Sequence, residues 1–530
     1  MRIVDTDEIN KIQSSIVEMG LDTQMIMENF GVNAARFLDQ EVLRNALDVQ
    51  IIVLLGSGQN ACDGLATARH LANQGYRVVA FKLFNDSECS ELLLSEIKRS
   101  SKYGVVISEI SSTAELEDYY SQIDTKTMMI DAIFGTGLNF PIPNFLYDII
   151  NFINNYESFI VSIDIPSGVD ANSGFIKGNA VIAKLTLANC VAKQGYFISD
   201  GVQNIGRIEV IDSGIPQELL KSGNKFLLNN HDILENIDRR DKYGDKKVFG
   251  HTLVLGGSHG LTGALVLASS ASLKVGAGLV TGATWEPQYR EFISRLIPDI
   301  MTGFVPLEVD RWPTLIQGLE KYSAIVIGPG LARSTRTRRL VLEILNNFSG
   351  PVVLDADAIN VLSLKEDKNV FKLRSAPTVL TPHFGEFARF AGIDEAQLEK
   401  EPIKHLKSLI SNINCTVILK GACTFLGLTD GNIYFNYLPN DGMATGGAGD
   451  VLAGILGGLL AQKSLVNKNL SLTDRYTQLN RTVINGVLIH SLSGLVAANQ
   501  HGVRSMTASS LIEALPQVFL DIDNEFKEEE

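Results

Sequence analysis

Basic charge is the first thing this chain lacks. Its 46 Lys and Arg face 60 Asp and Glu, for a formal net charge of −14 and a pI near 5.2. A chain of that sign has no broad cationic face for nucleic acid or an anionic membrane surface. Cysteine is also sparse. Cys62, Cys89, Cys190, Cys415 and Cys423 are odd in number and show no CxxC spacing, which argues against a disulfide framework or a zinc site and for free thiols in a reducing compartment. The opening Met-Arg-Ile-Val-Asp-Thr-Asp-Glu has no apolar core of the signal-peptide kind, and apolar runs such as 451–461 are too short and glycine-rich to span a bilayer. No internal repeat is visible. The expectation is a cytoplasmic protein with no nucleic-acid and no membrane partner. Any phosphate it handles must be held by a few local groups.

What is present is enough apolar sequence for more than one core: 530 residues, 45% of them hydrophobic and 20% charged. In the first half, β-branched runs at 51–55, 77–84, 104–110, 128–134, 159–165 and 206–212 alternate with stretches of helical period such as 61–74 and 143–154. That alternation predicts a parallel sheet wrapped by helices, a Rossmann-like three-layer α/β domain. Residues 213–245 change character, with Gly214, Pro216, Asn229-Asn230 and the charged run 238–242. The pattern then restarts, with strand-like runs at 252–256, 278–284, 323–328, 351–355, 377–380 and 416–419. The predicted organisation is an α/β domain over 1–218, a linker over 219–240 and a second α/β domain over 241–530, ending in the solvated acidic tail 525–530.

The densest chemical signal lies at 440–454, Asn-Asp-Gly-Met-Ala-Thr-Gly-Gly-Ala-Gly-Asp-Val-Leu-Ala-Gly. Gly446, Gly447 and Gly449 remove side chains that would keep phosphate off the backbone. The apolar stretch that follows predicts a helix whose first N–H groups and positive dipole end would face an anion. Asp450 stands beside that anion as a candidate base.

In the first half, the strand-like 51–55 runs into Gly56-Ser57-Gly58-Gln59-Asn60-Ala61-Cys62-Asp63-Gly64. Gly56-x-Gly58-x-x-Ala61 partly meets a dinucleotide fingerprint, with Asp86 as its ribose acid. Asn60 and Asp63 are more polar than a pyrophosphate turn requires, and they suggest a loop that binds phosphate on amides and offers oxygens to a cation. Two further strand ends carry Asp131 before Gly135-Thr136-Gly137, and Asp164 before Ser167. Carboxyl ends of parallel strands share one edge, so Asn60, Asp131, Asp164 and Ser167 are expected around one pocket. Taken singly, each Asp reads equally well as a turn cap.

The glycine loop resembles the signature of ribokinase-like phosphotransferases and, in its fuller form, that of the nucleotide-dependent NAD(P)H-hydrate dehydratases. Gly256-Gly257-Ser258, Thr262-Gly263-Ala264, Gly328-Pro329-Gly330-Leu331, Asp355-Ala356-Asp357-Ala358-Ile359-Asn360, Thr381-Pro382-His383 with Gly385-Glu386-Phe387, and Lys420-Gly421-Ala422 with Thr424 extend the match in order over about 240–515. Over about 8–217, Met27-Glu28-Asn29-Phe30-Gly31, the loop at 56–64, the strand-end acids and Lys193-Gln194-Gly195-Tyr196 resemble the NAD(P)H-hydrate epimerase domain. The resemblance implies a ribokinase-like fold for the second domain and one substrate for both: 6-hydroxy hydrates of NADH and NADPH, called NADHX and NADPHX.

By the same resemblance, Asn60, Asp131 and Ser167 bind K+, and Asp164 is the acid–base residue of epimerisation. Gln59, Asn60, Ala61, Cys62, Asp63, Gly135, Thr136, Gly137 and Asp164 bind the hydrate there. In the dehydratase, Ala264, Gly330, His383 and Asp450 meet the hydrate, and Lys420, Gly421, Ala422, Cys423, Thr424 and Gly449 hold the nucleotide, ADP or ATP with Mg2+. Asp450 would deprotonate the 6-hydroxyl for phosphorylation, after which phosphate leaves and the ring regains its double bond. A homo-oligomer is also expected. Four features depart from the family pattern: Ala332 for Gly, Phe384 for Pro, Ala448 for Thr, and Ala61-Cys62 for two glycines, whose added Cβ atoms are expected to narrow the phosphate approach and exclude positive φ. Two other readings compete, a vitamin-precursor kinase with an unrelated N-terminal domain and a non-enzymatic N-terminal interaction module.

Overall fold

The computed structural model describes residues 1–528 except 45–47, 124, 139, 230–231, 234–236, 238–239, 365 and 464–470. It divides into two compact units, Met1–Lys225 and Phe226–Glu530.

In the first unit seven parallel strands lie in the order Val106–Glu109, Arg77–Lys82, Gln50–Leu55, Thr127–Ala132, Phe159–Ile163, Leu185–Asn189, Arg207–Ile211. Side chains alternate between the two faces of a strand. Ile51, Val53 and Leu55 accordingly pack with the helices Thr23–Phe37 and Gln59–Asn73, while Ile52 and Leu54 pack with Thr113–Ser121 and Asn144–Asn155. Burial on both faces accounts for the unbroken apolar runs. The chain builds outward from Gln50–Leu55 to one edge and returns to Thr127–Ala132 on the other side of it. That reversal opens a crevice at the carboxyl ends of these two strands. Leu185–Asn189 was not anticipated, nor was the short parallel pair of Ile3–Val4 with Ala192–Lys193.

The second unit holds a ten-stranded sheet in the order Lys225–Leu227, Ile433–Asn436, Thr424–Gly427, Thr416–Leu419, Thr378–Leu380, Val352–Leu354, Ala324–Ile327, His251–Leu255, Leu279–Trp285, Met301–Val305. Pairing is parallel from Thr416–Leu419 to Met301–Val305 and antiparallel among Thr416–Leu419, Thr424–Gly427 and Ile433–Asn436. Helices Thr262–Lys274, Ala448–Gln462, Leu472–His501 and Ala508–Glu528 share one core with Val254, Val326, Val353, Val379 and Ile418. Residues 473–501 are long and apolar enough to cross a membrane, a length the sequence reading missed, but 61% of the apolar window is buried inside the fold.

The boundary falls inside the segment read as a linker, and that segment is not free chain. Leu219 and Leu220 pack in the first unit, Lys225–Leu227 is a strand, and Leu228, Ile233 and Ile237 pack into the second unit's core. A three-residue strand is too short to display a period of two. Parts of this segment (230–231, 234–236, 238–239) and the last two residues of the acidic tail lie outside the described residues.

Candidate active sites

The crevice of the first unit is a cavity of about 670 Å³. Its polar wall is formed by Ser57, Gly58, Gln59, Asn60, Asp63, Gly135, Thr136, Gly137, Asp164, Asn189 and Lys193, and its apolar wall includes Ile9, Ile12, Ile16 and Phe140. Gly58 caps the helix Gln59–Asn73, so the stretch Gln59 to Gly64 is not a loop but the first turns of that helix. Its leading N–H groups and positive dipole end meet the cavity.

This corrects the expectation for Ala61 and Cys62. Both are helical and fully buried in the core with Leu65 and Val53, so their Cβ atoms neither narrow the approach nor meet a positive φ, and their side chains do not line the cavity. Burial pushes the Cys62 thiol up to about 12. Asp86, the ribose acid of the dinucleotide reading, instead pairs with Lys82.

Asn60 and Phe134 line the cavity, and Asp131 and Ser167 lie fully buried behind them rather than on its wall, joined to it through the hydrogen bonds of Ser167 to Phe134. Asp131 is wholly buried and accepts from Ser167 Oγ (2.5 Å), the Ser167 amide (2.8 Å), Ser162 Oγ (2.8 Å) and the Ile133 amide (3.3 Å). Burial raises its carboxyl above the ordinary range against the pull of the Ser167 hydrogen bonds. Asn60 Nδ2 donates to the Phe134 carbonyl at 2.9 Å, and Ser167 Oγ accepts from the Phe134 amide at 2.8 Å. Asn60 Oδ1 is buried with no partner. A buried orphan acceptor beside a hydroxyl, a carbonyl and a carboxylate is an all-oxygen set that fits a hard cation and not a soft one.

Asp164 follows the strand Phe159–Ile163 at φ 65°, a left-handed conformation that strains a non-glycine residue and marks functional positions. It is over-determined there: the Leu187 carbonyl accepts from its amide at 2.8 Å, Tyr196 donates to its carbonyl, and its carboxylate pairs with Lys193 and accepts from the Asn189 amide at 3.2 Å.

In the second unit the same reversal occurs between His251–Leu255 and Ala324–Ile327. Gly330, at φ 61°, sits there against Ala264; a Cβ on it would come 3.2 Å from Ala264 Cβ and 2.6 Å from the Leu261 carbonyl. Ala332 also takes a left-handed φ of 66°, the conformation a glycine adopts freely, with its amide donating to Asp357 at 2.9 Å.

Three strands further along the same edge, Lys420 Nζ bridges the remaining groups. It pairs with Asp355 at 2.9 Å and lies 3.1 Å from where a Cβ on Gly449 would be. Gly447, at φ 97°, caps the helix Ala448–Gln462, whose first turn carries Asp450. Burial, reinforced by repulsion from Asp355 and opposed by Lys420, pushes the Asp450 carboxyl up to about 7. Burial draws Lys420 down, but Asp355, Glu386 and Asp450 together hold it above its ordinary value.

His383 caps the helix Phe384–Ala391, its Nδ1 accepting from the amides of Gly385 (3.1 Å) and Glu386 (3.4 Å) while Glu386 returns to the His383 amide (3.0 Å). Gly421 and Ala422 are exposed on the turn after Thr416–Leu419, with Phe384 close to Gly421; Cys423 turns its side chain into the core, so of it only the backbone faces that turn. Asp355 and Glu386 stand inside the motifs at 355–360 and 381–387, which by themselves assign them no role. For Asp355 the signal is its place directly after the strand Val352–Leu354, as for the strand-end acids of the first unit. His490, which hydrogen-bonds the Ala448 carbonyl at 2.9 Å, carried no sequence signal because it lies in the middle of an apolar helix.

A family model described as NAD(P)H-hydrate dehydratase matches residues 252–517, and one described as YjeF-related protein N-terminus matches 23–195. The bifunctional NAD(P)H-hydrate repair enzyme Nnr of Moorella thermoacetica is 32% identical over 527 residues, covering 98% of this chain and 96% of the relative. The chain belongs to this family. The NAD(P)H-hydrate repair enzyme of Thermofilum pendens is 29% identical over 536 residues, with 99% and 98% covered. The ADP/ATP-dependent NAD(P)H-hydrate dehydratase of Bacillus subtilis, solved with ATP/Mg2+, is 26% identical and covers 57% of this chain and 100% of its own, at a TM-score of 0.48. As an NAD(P)H-hydrate repair enzyme the chain has two activities, epimerase and dehydratase. The unrelated-kinase and non-enzymatic readings are not favoured by a match that spans both units.

Proposed function

We propose that the first unit's cavity epimerises the R and S hydrates of NADH and NADPH, and that the edge around Asp450 dehydrates the S epimer at the expense of ADP, giving AMP and phosphate, with ATP as the alternative donor. The observation that carries the second half of this reading is the triangle of Asp450, Lys420 and the Gly447–Gly449 helix start. Hydroxide leaves poorly from C6, so it must first be phosphorylated. A carboxyl near 7 is matched to taking that proton at neutral pH. Amides at 446–449 and the Lys420 ammonium neutralise charge on the transferring phosphoryl group, and Lys420 with the 421–424 turn holds the nucleotide. Ala264, Gly330 and His383 line the hydrate's side of the site. Phosphate then departs and the ring double bond returns.

Among the described residues no cluster of three or more His, Cys, Asp or Glu could hold a metal ion. Mg2+ enters this reading on the nucleotide phosphates. In the first unit the orphan Asn60 Oδ1, with Asp131 and Ser167, supports K+; when bound it would orient the site and offset the buried Asp131 charge. Asp164, fixed by Lys193 and Tyr196, handles the proton of the C6 hydroxyl. Amides at the start of Gln59–Asn73 and of 135–137 receive the phosphates. A cytoplasmic location belongs to this reading, supported by five cysteines that are all free.

The test is to incubate the full chain with mixed-epimer NADHX, Mg2+ and either ADP or ATP, and follow the return of NADH absorbance. Complete conversion faster than spontaneous epimerisation is expected. Conversion of only the S fraction at the enzyme's rate would remove the epimerase half.

A further inference from the structure

We infer that Asp63 is a second proton-transfer group of the epimerase cavity, the partner of Asp164 in moving the hydroxyl off and onto C6. The inference rests on the cavity being the epimerisation site.

Asp63 is 5% exposed and lines the cavity together with Asp164, Asn189 and Lys193. The Lys193 ammonium is already committed. It pairs with Asp164 and donates to the carbonyls of Val191 (3.0 Å) and Asn189 (3.4 Å). Asp63 meets neutral amides instead, Gln59 Nε2 at 3.4 Å and the Asn189 side chain. Asn189 is common to both acids. Its backbone N–H donates to Asp164 at 3.2 Å, and its Oδ1 accepts from Ser213 Oγ at 2.7 Å, which turns the amide nitrogen toward Asp63.

The charged groups facing Asp63 are Asp164 and Lys193. Burial first, and then repulsion from Asp164, push the Asp63 carboxyl up to about 7. The cavity therefore offers two acids in differing environments, Asp63 among neutral amides with its carboxyl pushed up to about 7 and Asp164 paired with Lys193, an arrangement that suits a division of proton-transfer roles.

Epimerisation needs that division. C6 of the hydrate carries the hydroxyl and is bonded to ring N1. Asp63 gives its proton to the hydroxyl, the C6–O bond breaks, water leaves, and the N1 lone pair forms an N1=C6 bond. A water then adds to the other face of C6, its proton passes to Asp164, and the π pair returns to N1. One water is lost and one gained, nothing is oxidised or reduced, and proton exchange with solvent restores the starting state.

The experiment uses full-length Asp63→Asn with the isolated R epimer, Mg2+ and the donor nucleotide, the protein's own dehydratase reporting each S molecule formed. After subtraction of the buffer rate, epimerase kcat is expected to fall about 100-fold or more, with KM within about threefold, the scale of a lost acid–base group. Dehydration of the S epimer is expected to be unchanged, and Asp63→Glu to recover part of the rate. In H2(18)O the unsubstituted protein is expected to place the heavy oxygen at C6 with each turnover. Normal kcat in Asp63→Asn, a change confined to KM, or epimerisation without oxygen exchange overturns the proposal. If Asp63→Asn loses substrate binding as well, Asp63→Glu decides: recovered turnover supports the proposal, and recovered binding without turnover, or no recovery in a protein of normal circular dichroism, overturns it. An unsubstituted protein that does not accelerate epimerisation overturns the underlying reading instead.

Discussion

Asp450 lies in the first turn of a helix, where the dipole favours a carboxylate, yet burial and Asp355 outweigh both that and Lys420 and bring its carboxyl to about 7. The sign of the consequence is fixed. A base must be deprotonated, so kcat/KM for dehydration should rise with pH through about 7 and level off above it, measured as NADH return from the S epimer at saturating nucleotide. Asp450→Asn keeps the side-chain shape and removes the base. Nucleotide affinity should stay within about threefold while turnover falls about 100-fold or more, and the pH dependence should disappear. Near-normal turnover would remove Asp450 from this role. That Asp450 begins a helix beside a glycine turn was legible in the sequence, because three glycines and an acid before an apolar run have few other uses. Its dependence on Lys420 and Asp355 was not. Those residues come from strands separated by 65 positions and meet only because Thr416–Leu419 and Val352–Leu354 lie on the same sheet edge.

The helix Gln59–Asn73 reverses an expectation drawn from composition. In sequence, Gln59-Asn60-Ala61-Cys62-Asp63-Gly64 reads as a loop in which extra Cβ atoms would be harmful. In the fold, Asn60 and Asp63 are three apart on one face of a helix and turn to the cavity, whereas Ala61 and Cys62 turn to the core. The helical period read over 61–74 already took in Ala61 and Cys62, but the glycines at 56, 58 and 64 and the polar Asn60 and Asp63 made the same residues read as a loop. Replacing Ala61 and Cys62 by Gly should therefore not raise epimerase activity. It should lower stability, since each glycine in a helix costs about 0.5–1 kcal/mol and the Cys62 change also removes buried contacts at about 1 kcal/mol or more. Thermal unfolding of the first unit is the measurement, and a Tm drop of several degrees the expected result. A variant of unchanged Tm and faster epimerisation would show that this turn is not packed as described. The opposite holds for Gly64, where a Cβ would come 2.3 Å from Ala132 Cβ, so the one glycine retained in this stretch is the one that seats the helix on Thr127–Ala132.

At the scale of the molecule, each unit carries its own core, and the parallel sheets of both were legible because strands buried on both faces leave continuous β-branched runs. The boundary was not legible. Gly214, Pro216 and a charged run imitate a linker, while the residues that end the first unit act through contacts far away in sequence. Lys225 is 2% exposed and pairs with Asp5 and with Glu8, at 2.8 Å to the latter, and the Leu219 carbonyl accepts from Arg2 at 2.8 Å. These contacts hold the N-terminal helix Thr6–Glu18, whose Ile9, Ile12 and Ile16 form part of the cavity wall. A fragment ending at residue 218 would lose Lys225, Leu219 and Leu220 together. It would remove Lys225 from half-buried Asp5 and Glu8, the latter keeping Arg2 at 3.6 Å, a loss of about 1–3 kcal/mol from the polar groups alone. A fragment of 1–225 should fold and epimerise without nucleotide, with a Tm several degrees above that of 1–218 and a lower KM, because its helical wall is held in place. A fragment of 226–530 retains its edge strand residues Phe226 and Leu227 and should dehydrate the S epimer unaided. Equal stability and KM for 1–218 and 1–225 would show that the Lys225 contacts do not support the cavity, and failure of both units to fold alone would show that the two cores are not independent.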